Sequence, residues 1–136
     1  MTDDSINEWW VDIHDEALDK FIIQWFAEID TYDEDNHPVS GDVVLMNFLA
    51  SDDFQWLFIQ RAFALAYDAD HLQTLAAGPV EHLLSHHGEK WISLIEKESS
   101  ENKNFAWMML GVWQNAMSQE LWNRVQKIQE SAVQQT

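Results

Sequence analysis

Cysteine is absent from all 136 residues, which excludes disulfide frameworks, thiolate zinc centres and cysteine nucleophiles. Basic residues are scarce: seven lysines and arginines stand against 24 aspartates and glutamates, for a net charge of -17. Such a field repels nucleic acid and anionic membrane surfaces and attracts basic proteins at salt-dependent rates. No segment reaches ~18 consecutive apolar residues, and the amino terminus, MTDDSINEWW, has no basic stretch leading into an apolar one. The expectation is a cytoplasmic chain without membrane or direct nucleic-acid contacts. There is no G-x-S-x-G and no glycine-rich phosphate loop, so no catalytic residue and no cofactor is assigned.

What is present is helical patterning. The stretch Asp53 to Tyr67, DFQWLFIQRAFALAY, is apolar in nearly every direction of a helical wheel, interrupted only by Gln55, Gln60 and Arg61. A helix of that composition, too short to span a bilayer, is expected to be enclosed by others. The absence of alternating strand patterns and the presence of only four glycines complete an all-α expectation: a compact multi-helix bundle around a buried central helix at about 53–67. A chain of this length is expected to form one domain, residues 1–128, that buries close to ~70% of its unfolded surface, with a polar, fraying tail at 129–136.

Before the central helix, Ser5-Ile6-Asn7-Glu8 fits a capping box, predicting a helix from Ser5 with Ile6, Trp9, Trp10, Ile13 and Ala17 on one face. The apolar stripe then changes phase to Leu18, Phe21, Ile22, Trp25, Phe26 and Ile29. A break or a new helix is therefore expected near His14–Asp15, with Asp15 as its N-cap. Residues 30–42, DTYDEDNHPVSGD, have loop composition. Their carboxylates do not fit a calcium loop, because Asp33, Asp35 and His37 are followed by Pro38 rather than glycine. A short helix over 43–50 and a Ser51-Asp52-Asp53 cap follow.

In the second half, Gly78 is expected to end one short helix, Pro79 to open the next, and Gly88 to cap it. Asn102 to Asn104 marks a break before a largely buried helix from Phe105 to Trp113. Ser118 should cap a last helix carrying Leu121, Trp122, Val125 and Ile128. Glu81 lies in a first turn, where the helix dipole favours an anion, and Arg124 is expected to form a structural ion pair with Glu81 or another carboxylate. His82 and His86, one turn apart, with His87 and Glu81, form the one sequence cluster that resembles a metal site. It lacks the H-E-x-x-H order and a fixed third ligand, so a surface histidine patch is favoured and no metal residue is assigned.

The segments LAAGPVEHLL (75–84), His87-Gly88, Gly111-Val112-Trp113 and LWNRV (121–125) resemble a bacterial helical domain family of unknown function. Its pattern is L-A-A-G-P-L-E-x-L-L, then H-G, G-V-W and W-x-R-V. The resemblance extends over about residues 18–128, with Val80 where leucine is usual and a more acidic first half. It implies a compact helical domain, with Gly78, Pro79, Glu81, Gly88, Trp113, Trp122 and Arg124 as motif residues, and carries no activity over.

Charge is unevenly spread: residues 1–70 hold 17 acidic and 2 basic side chains, and residues 71–136 hold 7 and 5. The expectation drawn from this is a non-enzymatic acidic protein that neutralises a basic partner, such as an immunity protein for an interbacterial nuclease toxin. Asp30, Asp33, Glu34, Asp35, Asp42, Asp52 and Asp53 would supply contact charge, with Tyr32 and Trp9 or Trp10 as aromatic anchors. Three alternatives fit the same sequence. They are a phage-type anti-defence inhibitor mimicking nucleic-acid charge, a small metal- or ligand-binding enzyme using His82, His86 and Arg124, and a plain helical interaction module.

Overall fold

Asp12 has φ 58°, a left-handed conformation that a right-handed helix cannot contain, and it separates the residues before it from the first helix. In the computed structural model, which describes residues 8–31 and 37–135, residues 9–12 form a turn rather than the expected helix, with Val11 N–H donating to the Glu8 carbonyl. Ser5, Ile6 and Asn7 of the capping box lie outside the described residues. The turn is pinned by its tryptophans. Trp9 stacks on Phe21 at 3.9 Å and donates Nε1–H to the Asp42 carbonyl, and Trp10 is buried.

α1 (Asp15–Asp30) starts where the phase change in the sequence predicts, but His14 is its N-cap and Asp15 its first residue. Leu18, Ile22, Trp25 and Phe26 recur at helical spacing and are buried. α2 (Pro38–Leu49) begins five residues before the expected start, with Pro38 in its first turn, where a missing N–H costs no helical hydrogen bond. Its exposed N–H groups are met by a side chain of α1: the Glu28 carboxylate accepts from Val39 N at 2.7 Å and Ser40 N at 2.9 Å. The backbone and hydroxyl donors of Ser40 and Val39 hold the Glu28 carboxyl below its usual range, although burial works against them.

α3 (Asp52–Leu65) is the expected central helix, capped by the Ser51 hydroxyl, which accepts from Phe54 N. It packs against α1, α4 (Ala69–Leu75) and α5 (Glu81–Glu101), burying Trp56, Phe58, Ile59 and Ala62. Gln55 is buried as well, because its Nε2 donates to the Ala50 carbonyl and ties α3 to the end of α2. Leu57, Gln60 and Ala64 face solvent, so this helix is central without being enclosed all round.

The expected corner at Gly78-Pro79 is absent: residues 69–87 run as a continuous helical path, in which Ala76–Val80 form a widened π turn between α4 and α5. Pro79 lacks the N–H that would close a regular turn, and its ring crowds the preceding carbonyl, which accounts for the widening. The break expected at Gly88 is present as a kink one residue earlier, at His87 within α5. Gly88 is not a cap, since no described glycine has positive φ. It follows a kink at His87 (φ -138°, ψ 26°) and is buried where α7 (Gln119–Gln134) crosses: a Cβ there would overlap Leu121.

α6 (Lys103–Met108) is capped by the Asn102 side chain and ends in a 3-10 turn, Met109–Gly111. Trp113 lies beyond that turn and is 74% exposed, so the expected buried helix stops short of it. Ser118 caps α7 as expected, and Leu121, Val125 and Ile128 are buried. The predicted polar tail is helical instead. α7 continues through Gln134, Ala132 is buried, and Gln129 Nε2 donates to the carbonyls of Met109 at 2.9 Å and Val112 at 3.0 Å. Among the described residues every element is helical, and no helix is long and apolar enough to cross a membrane.

Candidate functional site

The carboxylates proposed for partner contact fall into two groups. Asp30, the last residue of α1, spends both oxygens internally: Oδ2 accepts from the Tyr67 hydroxyl at 2.6 Å and Oδ1 pairs with His71 Nε2 at 2.8 Å. Those two bonds, Tyr67 first, hold its carboxyl below the usual aspartate range. Asp52, at the start of α3, accepts from Lys90 Nζ at 2.8 Å and Trp91 Nε1 at 2.9 Å, which brings its carboxyl down to about 2. Asp30 and Asp52 therefore act as fold-linking groups at opposite ends of α3, about 20 Å apart along a helix of this length.

Asp53 stays exposed with Lys90 3.6 Å away, and Asp42 is partly exposed. Tyr32, Asp33, Glu34 and Asp35 lie outside the described residues. Trp9 and Trp10 are packed into the fold and do not present anchors. Among the described residues the exposed aromatics are Phe48, Tyr67 and Trp113.

His71, which pattern reading passed over, is the most deeply placed titratable group among these. It is fully buried, stacked on Phe26 at 4.1 Å and edge-on to Tyr67. Asp30, Asp68 and His71 bring one oxygen each and a nitrogen within 4.8 Å of one another, a grouping with the donors for a divalent cation. The hydrogen bonds oppose that use. Tyr67 N–H points at His71 Nδ1 at 3.4 Å, so Nδ1 is the acceptor and the proton sits on Nε2, which donates to Asp30. A metal on Nε2 would require the proton on Nδ1, facing another donor, whereas metal-bound histidines place that N–H against an acceptor. The cluster is a latch between the end of α1 and the start of α4, with Asp68 also capping α4 by accepting from His71 N at 3.0 Å. The only sequence signal for it was Asp68 three residues before His71, the spacing of an N-cap.

The histidines of α5 take separate roles. His82 packs edge-on to Phe48 at 4.7 Å and lies 4.3 Å from the His86 ring, with both its ring nitrogens unpartnered among the described residues. Burial, reinforced by His86 and His87, pushes the His82 imidazole down to about 4. His86 and His87 are exposed beside a groove of about 390 Å³ that also borders Gly88 and Leu121. Glu81 does not join them: its carboxylate accepts from Trp113 N at 2.8 Å and Asn115 Nδ2, tying the start of α5 to the segment after the 3-10 turn. Arg124 pairs with Glu96 rather than Glu81, Nε to Oε2 at 2.9 Å, and also donates to the Ser93 hydroxyl. His82, Arg124 and Glu81 thus serve three different contacts. Trp122, the last motif residue, packs half-buried against the core.

The remaining surface feature is on α2. Its outward side carries Gly41, Val44, Leu45, Phe48 and Leu49 without a charge, and Phe48 is 68% exposed.

These observations describe a compact all-α protein in which Glu28, Asp30, Asp52, Asp68 and Glu81 brace helix ends and an uncharged face of α2 is exposed in the acidic half. The chain belongs to a family of unknown function, DUF6869, whose model matches residues 27–133. No curated protein and no solved structure matches the chain.

Proposed function

We propose that this protein is a non-enzymatic acidic inhibitor that binds and neutralises a basic protein, as an immunity protein does for a toxin. The observation that carries the reading is the fate of the only two cations in residues 1–70. Lys20 pairs with Glu16 at 3.7 Å, and Arg61 forms a bidentate pair with Asp19, its Nε 2.9 Å from Oδ1. The 17 carboxylates of this half are thus set against two lysine or arginine side chains, each already paired with a carboxylate of the same half. A field so arranged steers cationic partners and repels phosphate-bearing ones. On this reading Asp30 and Asp52 are structural, and Asp33, Glu34, Asp35, Asp42 and Asp53 carry the contact charge.

The test is affinity capture from the native organism at low salt, elution by a salt step and identification of the eluate, followed by assay of the captured protein's activity. The expected result is a basic protein whose activity falls in proportion to bound inhibitor. Its association should slow when residues 33–35 are reversed to lysine. Capture of only acidic or neutral proteins, or of a basic protein whose activity is unaffected, overturns the reading.

A further inference from the structure

We propose that the outward face of α2, centred on Phe48 with Val44 and Leu49, anchors the partner interface by receiving an apolar side-chain cluster flanked by lysine or arginine. This deepens the acidic-inhibitor reading and rests on it.

Three observations converge. First, no lysine or arginine occurs between Lys20 and Arg61, while α2 carries Asp42 and the first turn of α3 carries the exposed Asp53, 3.6 Å from Lys90. Asp52 is already bound by Lys90 and Trp91 and does not count toward this rim. An uncharged helix face in a stretch with carboxylates and no cation of its own is complementary to a surface that is apolar with a cationic rim. Secondly, the face is held in place before any partner arrives. Glu28 fixes the start of α2, Gln55 holds the carbonyl of Ala50 just after its end, and the His82 ring abuts Phe48. His82 stays uncharged at neutral pH, so it adds no cation to the rim. An aromatic side chain that is exposed yet already positioned loses little freedom on binding, which is the property of an interface anchor. Thirdly, another exposed apolar pair, Leu110 and Trp113, sits in the half of the chain with 7 acidic and 5 basic residues, where the nearby Glu81 is spent on Trp113 N and Asn115. A second copy of this chain is a poor occupant, since it would bring a further charge of -17 to the same surface.

The experiment uses the full ¹⁵N-labelled chain at low salt, titrated with two helical peptides of equal charge, one built of lysine and leucine and one of lysine and serine. The lysine–leucine peptide is expected to bind roughly tenfold tighter, the gain from burying one or two apolar side chains, and to shift the amides of residues 44–49. Phe48→Ser should reduce that preference to below about threefold while Trp113→Ser leaves it unchanged, with the thermal melt of each variant confirming folding. Equal binding of the two peptides overturns the α2 proposal and leaves the acidic reading standing. Failure of both peptides to bind overturns the acidic reading as well. A concentration-dependent dimer in sedimentation that Phe48→Ser abolishes would assign the face to a second copy and overturn the proposal.

Discussion

A Cβ added at Gly88 would overlap the Leu121 side chain, so any larger residue at the crossing of α5 and α7 requires Leu121 to shift. Gly88→Val is expected to lower unfolding stability by roughly 1–3 kcal/mol in urea titrations, the usual cost of overpacking. Adding Leu121→Ala should recover part of the loss, because the two positions share the space; strictly additive costs would refute the contact. Two further residues set the pH response. His82 takes up a proton less readily in the fold than in the unfolded chain, so stability should fall as pH drops from about 6.5 toward about 4. Asp52 acts lower: its depressed carboxyl contributes fully above about pH 4 and loses that contribution as pH falls toward about 2. His82→Gln should flatten the upper window and Asp52→Asn the lower one, read from denaturation midpoints across pH. A midpoint that is constant between pH 7 and 4 would refute the first assignment.

Two helix ends in this protein are finished by groups from other helices. Glu28 of α1 caps α2 and Gln129 of α7 closes the carbonyls around the 3-10 turn, whereas Asn102 caps its own helix, α6. Glu28→Ala is expected to cost about 1 kcal/mol, the scale of a lost cap, and to speed amide exchange selectively at residues 39–41. Gln129→Ala removes two hydrogen bonds and should cost about 1–2 kcal/mol by chemical denaturation; an unchanged midpoint would mean that solvent replaces them fully. The continuous path from α4 through the π turn into α5 follows the same logic. Gly111 approaches so closely that a Cβ there would lie 3.0 Å from Ala76 Cβ, which brings the end of α6 against the π turn.

For the whole molecule, 24 carboxylates against seven cations mean that folding gathers like charge into a smaller volume. The thermal midpoint should therefore rise between low salt and about 0.5 M sodium chloride as the repulsion is screened, and a midpoint that falls would show net attraction instead. The all-α class, the start of α1 near Asp15 and the caps at Ser51 and Ser118 were legible because helical periodicity and capping are local properties of a few neighbouring residues. The break beside Gly88 is legible, but its place at a helix crossing and the continuation of α7 through Gln134 are not, because the deciding contacts, Leu121 and the carbonyls of Met109 and Val112, are distant in sequence. The candidate site was legible only as charge: composition identified the acidic half but not that Asp30 and Asp52 are bound within the fold or that Phe48 is exposed. The sequence by itself determined helix, sign of charge and the absence of thiol chemistry, since each is set by residue type and local order. Which glycine is a crossing point, which carboxylate is spent internally and which aromatic faces solvent were decided by tertiary packing, because each depends on what another helix places beside it.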